Sequence, residues 1–210
     1  MNPGADGARR PVRIGITGPI GCGKSTVAGW LGSVPGVVVI DADRVARDVL
    51  APGTAEVEAV YTRFGVDLRQ PDGGLDRAAL GRIVFSDPDA LRDLETIVHP
   101  AVRPRILAEL EDARESGAAA VVIEAIKLVE GGLAELCDEV WLITCPAEAQ
   151  LQRLVERGTA IDDARERIAA QGDLATRLRP AATRIIDTAE AVAVTRSHAL
   201  DQLERTLAAT

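Results

Sequence analysis

Short, uniformly apolar runs alternate with longer amphipathic stretches along this chain. The apolar runs predict buried strands at residues 12–17, 36–40, 118–123, 138–144 and 183–186. The amphipathic stretches predict helices at about residues 26–31, 43–50, 54–64, 146–157, 161–171 and 196–208. Because the strands are apolar throughout and alternate with helices, we expect an α/β fold whose five-stranded parallel sheet is covered by helices on both faces.

Local signals set several of the predicted helix boundaries. Asp87-Pro88 predicts a helix start, since proline is favoured at the first helical position. We expect that helix to end near His99-Pro100, with His99 capping a helix end, and a second long helix to run to about Ser116. The segment from Thr159 to Asp162 resembles a capping box, which predicts the helix start near Ile161.

A glycine-rich segment joins the first strand to the first helix. It reads G-P-I-G-C-G-K-S from Gly18 to Ser25 and matches the phosphate-binding loop pattern G-x-x-x-x-G-K-[ST] at every position. Its glycines permit backbone conformations with positive φ that turn N–H groups toward an anion, and the following helix adds its positive dipole end. The residues predicted to bind ATP in this segment are Gly18, Pro19, Ile20, Gly21, Cys22, Gly23, Lys24, Ser25 and Thr26.

Two side chains of the loop, and one carboxylate far along the chain, carry more specific chemistry. Lys24 supplies a mobile positive charge for the terminal phosphates, and the Ser25 hydroxyl is suited to hold Mg²⁺. Glu124 follows the third apolar run, so it either supports the same Mg²⁺ through a water or is a plain strand-end carboxylate. The sequence therefore predicts ATP with Mg²⁺, held by Ser25 and Glu124.

Polar residues close the predicted strands, where ligands of parallel sheets bind. Asp41 and Asp43 follow the second apolar run, and Thr17 closes the first. Phosphoryl transfer to an alcohol needs a carboxylate that orients the hydroxyl and accepts its proton. Either aspartate can do this while the other caps the next helix, so the residues alone leave the choice open. Thr17 and Asp41 are also candidates for binding the acceptor.

Basic residues are distributed unevenly. Of the 24 basic residues 22 are arginine, so Lys24 and Lys127 stand out, and Lys127 becomes a candidate for substrate contact. Seven of the arginines lie in residues 151–184. Arg153 and Arg157 are four residues apart and share a helix face, where two like charges cost stability unless an anion binds between them. This pair is therefore a candidate for phosphate contact when a lid closes.

The composition narrows the class of protein. A net charge of −8 and an aromatic content of 2% argue against a nucleic-acid or anionic-membrane partner. Three cysteines without metal or disulfide spacing suit a reducing compartment, so we expect a cytoplasmic protein. Residues 1–10 predict a flexible tail, and residues 11–210 predict one unit without a linker. We expect a monomer or a small homo-oligomer.

Several motifs, in their order along residues 12–190, resemble the dephospho-CoA kinase family. Beside the phosphate loop they are Ile40–Asp43 with Arg47, Leu75–Leu80, Val84–Pro88, Val98–Pro100, Gln152–Leu154, Arg167–Gln171 and Ile185–Asp187. The resemblance implies a three-layer P-loop kinase fold with strand order 2-3-1-4-5, a helical acceptor-binding insertion and a helical lid. It implies a core at residues 11–50, 117–150 and 181–210, an acceptor-binding part at about 51–116 and a lid at about 151–180.

The resemblance also implies a reaction and residue roles. The reaction is transfer of the ATP γ-phosphoryl group to the ribose 3′-hydroxyl of dephospho-CoA. Asp43 matches the family's proposed base, and Arg47 and His99 match positions that line the acceptor pocket. Arg153 and Arg157 match arginines near the phosphates and the lid. We therefore expect Asp43, Lys24 and Arg153 to be catalytic, Arg157 to bind ATP, and Thr17, Asp41, Arg47, His99 and Lys127 to bind the acceptor.

Two positions depart from the family pattern. Ile126-Lys127-Leu128 stands where the family usually has Pro-Leu-Leu, and Thr188 stands where it often has Asn. These changes affect the acceptor side more than the ATP side. The alternatives are another small-molecule P-loop kinase, acting on a nucleoside or nucleotide, and a non-catalytic ATP-binding regulatory module.

Overall fold

The structure is a computed structural model that describes residues 10–209 of the chain. The predicted flexible tail therefore lies, apart from Arg10, outside the described residues. The strands are β1 (Val12–Thr17), β2 (Val37–Asp41), β3 (Ala120–Glu124), β4 (Glu139–Thr144) and β5 (Arg184–Asp187). The helices are α1 (Lys24–Gly32), α2 (Ala42–Val49), α3 (Ala55–Phe64), α4 (Arg77–Ser86), α5 (Pro88–Glu115), α6 (Ala147–Glu156), α7 (Ile161–Gln171), α8 (Leu174–Leu178) and α9 (Val192–Ala208). Short 3₁₀ helices cover Val66–Leu68, Leu133–Leu136 and Arg179–Ala181.

The five strands form one parallel sheet in the order β2-β3-β1-β4-β5, which confirms the predicted fold class and strand order. Ile16 of β1 and Asp41 of β2 both lie opposite Glu124 of β3 in the strand register. The carboxyl ends of these three strands therefore meet at one edge of the sheet. The loop that follows β1 leaves the sheet at this edge.

The core is almost entirely aliphatic, as the low aromatic content requires. Ile14 and Ile16 of β1 are fully buried and pack with residues of α1 and α9. Trp141 of β4 is one aromatic exception: it is fully buried in this cluster, and its indole N–H donates to Glu139 Oε2 at 2.7 Å. Burial of the strand side chains is what fixes the sheet and hence the positions of the strand ends.

The chain divides into two compact units. One contains the whole sheet and consists of the chain up to Asp41 together with the chain from Leu110 onward. The other is Ala42–Glu109, built from α2, α3, α4 and most of α5 around its own buried aliphatic residues. The finer division into core, acceptor-binding part and lid stays a prediction. Within residues 10–209, the helices are all too short or too polar to cross a lipid bilayer.

Two helix boundaries differ from the predictions by more than two residues. The predicted break at His99-Pro100 was wrong: α5 continues through both Pro100 and Pro104, and His99 lies inside it rather than at a helix end. Each proline removes one backbone hydrogen bond, but Val98, Val102 and Ile106 are buried at four-residue spacing along one face. Burial of that face outweighs the lost hydrogen bonds.

The predicted helix over residues 161–171 is confirmed by α7, but the capping box that was expected at its start was wrong. The N-cap of α7 is Ala160 and makes no side-chain cap hydrogen bond, so Thr159 lies one position too early to cap the helix. The last helix begins at Val192 rather than near residue 196. The sequence pattern missed this start because Val192 and Val194 are exposed apolar residues that interrupt the amphipathic pattern. Two helices, α4 and α8, were not predicted as separate elements, although Asp76 and Asp173 cap them.

Candidate active site

The loop between β1 and α1 has the backbone geometry that the glycine pattern predicts. Gly18, Gly21 and Gly23 have φ angles of 145°, 76° and 88°. A Cβ atom on Gly18 would lie 2.1 Å from the carbonyl oxygen of Ile143, so only glycine fits there. Gly23 caps α1 in the left-handed conformation, with no side-chain cap at that helix start. The first N–H groups of α1 are thus left for an anionic ligand.

Lys24 is folded back onto the loop. Its ammonium donates to the carbonyl oxygens of Gly18 (2.9 Å) and Pro19 (3.1 Å). The side chain is largely buried, with 7% of the residue's surface exposed. A buried ammonium held by loop carbonyls is a charge placed in advance beside the anion site.

Ser25 and Glu124 lie together although 99 residues separate them. The Ser25 hydroxyl donates to Glu124 Oε1 at 2.6 Å. Glu124 is the last residue of β3 and is buried, so the strand order brings its carboxylate to the start of α1. A hydroxyl and a carboxylate are the oxygen ligands that Mg²⁺ accepts, so the two side chains fit the predicted metal site.

Arg153 joins the phosphate loop to the end of β5. Its guanidinium donates to the Gly21 carbonyl (3.3 Å), to the Thr188 hydroxyl (2.8 Å) and to the Thr188 carbonyl (2.6 Å). The Thr188 hydroxyl in turn donates to the Cys22 carbonyl at 2.9 Å. Thr188, one of the departures from the family pattern, therefore holds the loop and the arginine together. The expectation that this departure affects the acceptor side more than the ATP side was wrong for Thr188, because its contacts are with the phosphate loop.

Gln171, at the end of α7, also contacts the loop. Its Oε1 accepts a hydrogen bond from the Ile20 N–H at 2.8 Å. Apart from Ala164, the side chains of α7 are exposed or half-buried. α7 packs against α6, and the contact with Ile20 ties the end of the helix to the loop as well.

A pocket of about 240 Å³ opens beside Gly23 and Thr26 at the start of α1. Its other walls include Val27, Trp30, Arg153, Arg157, Glu190, Val192 and Thr195. Thr195 is 3% exposed, and within the part of the chain that the structure describes its hydroxyl has no hydrogen-bond partner. The pocket thus combines apolar walls with a few polar groups, which is typical of a site for an organic ligand.

The other predicted site residues of the sheet-containing unit have definite positions. Thr17 is fully buried, and its hydroxyl donates to the Ile126 carbonyl at 3.0 Å. Lys127 follows on an exposed turn after β3, and Asp41 is the half-buried last residue of β2. Thr17 therefore acts on a ligand indirectly, by holding the turn that carries Lys127.

Three predicted site residues lie in the unit Ala42–Glu109. Asp43 is in the first turn of α2, and Arg47 is one turn further along, so both share a helix face. The Arg47 carbonyl accepts from Arg77 Nη2 at 2.7 Å. His99 is exposed on α5.

Some arginines of the segment 151–184 have structural partners. Arg184 donates to Glu139 through two nitrogens (2.7 and 2.9 Å), and the hydrogen bonds from Arg184 are the main cause that holds the pKa of that carboxyl below its usual range. Arg177 donates to the Gln171 carbonyl at 3.0 Å. On the exposed surface of α7, Arg165 Nη1 lies 3.5 Å from Asp162 Oδ1. These three stabilise the fold near the site rather than facing the phosphate loop.

A family comparison gives the decisive observation. Residues 12–193 match the model of the family described as dephospho-CoA kinase. This chain belongs to the dephospho-CoA kinase family. A dephospho-CoA kinase from Moorella thermoacetica is 44% identical over 200 residues, which cover 93% of each chain.

Solved structures agree with the family assignment. The dephospho-CoA kinase from Campylobacter jejuni superposes with a TM-score of 0.69 at 28% identity, covering 94% of this chain and 98% of that one. The shikimate kinase from Acinetobacter baumannii gives a TM-score of 0.55 at 19% identity, covering 95% of each. The second likeness shows the fold alone, which is that of P-loop kinases.

Several residues of the site carry no prediction from the sequence. Gln171 and Thr188 stood in family motifs, but nothing in the chain says that they contact the loop 151 and 166 residues away. Trp30, Val192 and Thr195 fit no motif and line the pocket only because α1 and α9 pack together. Both Thr188 and Thr195 are buried polar side chains in the structure, and no pattern in the sequence marks that burial.

Proposed function

We propose that this chain catalyses transfer of the γ-phosphoryl group of ATP to the ribose 3′-hydroxyl of dephospho-CoA, giving coenzyme A. The observation that carries the proposal is the loop with three positive-φ glycines, the buried Lys24 and the Ser25–Glu124 pair, in a chain of the dephospho-CoA kinase family. The loop amides and the α1 dipole bind the phosphates, and Lys24 stabilises negative charge on the transferring group.

Ser25 and Glu124 are the residues that would hold Mg²⁺. Mg²⁺ is usually bound through one or two carboxylates together with substrate phosphates and water, and this pair offers one hydroxyl and one carboxylate. A metal held there would supply positive charge that offsets the negative charge developing on the phosphate oxygens. The hydrogen bond of 2.6 Å between Ser25 and Glu124 keeps these two oxygens together, where both would hold the metal.

The base and ribose of ATP would occupy the pocket beside Thr26. Arg157 and Arg153 lie on one wall, and Trp30 with Val192 supplies apolar surface. The carboxylate of Glu190 can accept a hydrogen bond from the 6-amino group of adenine, a group that guanine lacks at that position. We therefore expect ATP to be preferred over GTP.

Asp43 is the proposed base, and Arg153 a proposed catalytic residue. Asp43 follows β2 by two residues, so it stands directly after a strand end, as a base for an alcohol acceptor requires. Arg47, His99, Asp41 and Lys127 are the proposed acceptor-binding residues, with Thr17 supporting the turn of Lys127. The helical unit 42–109 supplies the first two and residues about 151–180 form the lid.

The cytoplasm is the proposed location and ATP and dephospho-CoA are the proposed substrates. The location is supported by three cysteines that are free in the structure, which suits a reducing compartment. A monomer or a small homo-oligomer stays our expectation for the assembly.

The test is a phosphorylation assay with the purified full chain. We expect ADP release from Mg²⁺-ATP to depend on dephospho-CoA, the product to carry phosphate on the ribose 3′-oxygen by NMR, and excess EDTA to abolish turnover. Lys24→Ala is the matched inactive control. ADP release stimulated by a nucleoside monophosphate and not by dephospho-CoA would identify a nucleotide kinase, and tight ATP binding without any acceptor turnover would identify a regulatory module.

A further inference from the structure

A cysteine of the phosphate-binding loop lies against a second cysteine that follows β4. Cys22 stands between Gly21 and Gly23, and its Sγ lies 2.9 Å from Sγ of Cys145, the residue after β4. A disulfide has an S–S distance of about 2.05 Å, so bonding requires the sulfurs to approach by less than about 1 Å. Both cysteines are free thiols in the structure.

We propose that Cys22 and Cys145 are an oxidation site: a low-molecular-weight disulfide converts them to an intramolecular disulfide that weakens ATP binding. The inference rests on the proposed ATP site, because it concerns the regulation of the same loop. It requires a thiol that can be reached from solvent, a second thiol that can resolve the first adduct, and a loop that depends on the position of Cys22.

The first requirement is met by Cys145. Cys22 is fully buried, whereas Cys145 is only partly buried, so an external reagent reaches Cys145 first. The hydrogen bond with Cys22 and, to a smaller degree, the positive charge of Arg153 lower the pKa of the Cys145 thiol, although partial burial opposes them. The attacking species in thiol–disulfide exchange is the thiolate, so these contacts favour Cys145 as the nucleophile.

The second requirement is met by Cys22. Its hydrogen bond with Cys145 is the largest cause that raises the pKa of the Cys22 thiol, followed by burial, while nearby Lys24 lowers it. Once Cys145 carries a mixed disulfide, that hydrogen bond to a Cys145 thiolate is gone and the effect of Lys24 stays. Cys22 is then able to lose its proton and attack the Cys145 sulfur beside it.

The two exchanges balance without a further reagent. The Cys145 thiolate attacks a disulfide RSSR, the S–S bond of RSSR breaks, and one RS⁻ leaves. The Cys22 thiolate then attacks the Cys145 sulfur, and the second RS⁻ leaves. The protein loses two protons and two electrons, and RSSR gains them as two RSH.

The third requirement concerns the loop backbone. The Cys22 carbonyl is held by Thr188 and the Gly21 carbonyl by Arg153, so the backbone on both sides of the Cys22 side chain is tied to the end of β5. Pulling Sγ toward Cys145 turns the Cys22 peptide against these contacts and moves the N–H groups that face the phosphates. A displacement of about 1 Å can lower the reaction rate at a preorganised site by up to about a hundredfold. For binding, we expect the Kd for ATP to rise at least about tenfold.

The test treats the purified full chain with glutathione disulfide and reads two signals. Peptide mass spectrometry after alkylation maps any Cys22–Cys145 linkage, and calorimetry gives the Kd for Mg²⁺-ATP before treatment, after it, and after reduction with dithiothreitol. Nucleotide binding is measured without dephospho-CoA, because the thiol of that acceptor would itself reduce the disulfide. Cys145→Ser is the test variant and Cys137→Ser the matched control.

We expect the wild type and Cys137→Ser to form the linkage, to lose ATP affinity by about tenfold or more, and to recover it on reduction. Cys145→Ser should bind ATP like the untreated wild type before and after treatment. A stable glutathione adduct on Cys145, no linkage, or a linkage with unchanged Kd would each overturn the inference. Failure of the reduced wild type to bind ATP would instead refute the proposed function, since the linkage is mapped without nucleotide.

Discussion

At the scale of single residues, two aspartates only two positions apart have different surroundings. Asp41 is the last residue of β2 and lies opposite Glu124 in the sheet, whereas Asp43 belongs to the first turn of α2. The residue types alone could not assign the base between them. Family membership favours Asp43, and the distinction can be tested because both are half-buried side chains of the same kind.

For Asp43→Asn we expect kcat to fall by at least about a hundredfold with little change in the Kd for ATP, because a general base contributes to the transition state and not to nucleotide binding. Steady-state kinetics and calorimetry measure the two quantities. Asp41→Asn, the matched control, should lower kcat far less. The reverse pattern would move the role of base to Asp41.

Lys127 is one of two lysines in the chain, and it stands where the family resemblance predicts an apolar residue. It is exposed on the turn held by Thr17. For Lys127→Ala we expect the KM for dephospho-CoA to rise about tenfold at similar kcat, because one charge-assisted hydrogen bond is worth roughly 1.5–3 kcal/mol. Lys127→Arg should restore most of the affinity. An unchanged KM in the alanine variant would make Lys127 an ordinary surface residue.

At the scale of elements, α7 contacts the phosphate loop through the carboxamide of its last residue. Gln171 is the last residue of that mostly exposed helix, and its oxygen accepts from the Ile20 N–H. The position of the helix end and the conformation of the loop are therefore coupled. Because Gln171 contacts the phosphate loop, a charge placed at this position would interact with the charge of a bound phosphate.

We expect Gln171→Glu to raise the KM for ATP by about tenfold. The carboxylate keeps an acceptor for Ile20 but adds a negative charge near the phosphates, a repulsion of about 1–2 kcal/mol. Gln171→Ala, which adds no charge, should raise the KM less. If both variants change only the free energy of unfolding and leave the KM for ATP unchanged, Gln171 only holds α7 in place.

A second element-scale feature joins the amino ends of β4 and β5. Glu139 accepts from Arg184, from the Trp141 indole and from the Thr206 hydroxyl (3.2 Å), and both charged side chains are mostly buried. Arg184 is the main cause of the lowered pKa of Glu139. The stabilisation is thus present above the ordinary carboxyl pKa and is lost as pH falls through the lowered pKa of the folded state.

For Glu139→Gln we expect a loss of about 1–3 kcal/mol in the free energy of unfolding at pH 7, because a charged hydrogen-bond network loses its acceptor charge. Urea unfolding at pH 7 and near pH 3 should show the gap between wild type and variant shrinking at the lower pH. Glu111→Gln, in an exposed pair with Arg114, should have a much smaller effect at pH 7. A gap that does not depend on pH would contradict the role of the ion pair.

At the scale of the whole molecule, the phosphate loop is built into the core of the sheet-containing unit. Gly18 packs against β4, Lys24 is buried, and the loop is tied to α6, α7 and the end of β5. A ligand bound by such a loop engages only the folded chain. Its binding free energy therefore adds to the stability of the fold.

We expect Mg²⁺-ATP at about 100 times its Kd to stabilise the protein by about 2.7 kcal/mol, seen as a higher Tm in calorimetry. In Lys24→Ala the same nucleotide concentration should raise the Tm far less. The comparison is made within each variant, so any intrinsic effect of the substitution cancels. An equal rise in both proteins would mean that ATP binds away from the loop.

Local features of the chain were predictable from the sequence. The positive φ angles of Gly18, Gly21 and Gly23 follow from a motif whose glycines are needed for their own backbone conformations. The strands follow from uniformly apolar runs, and their observed bounds differ from the predicted ones by at most two residues. Helix ends were less predictable, as α5 shows, because burial along Val98, Val102 and Ile106 overrides a local break signal at Pro100.

The sequence by itself therefore determined the phosphate loop, the strands and the class of fold, since these depend on residues close together in the chain. Only the tertiary structure decided that Ser25 meets Glu124, that Arg153 and Thr188 hold the loop carbonyls, and that Cys22 meets Cys145. These pairs are formed by chain segments far apart in sequence. They meet because the strand order brings the carboxyl ends of β1, β3, β4 and β5 to one edge of the sheet, and no local preference encodes that order.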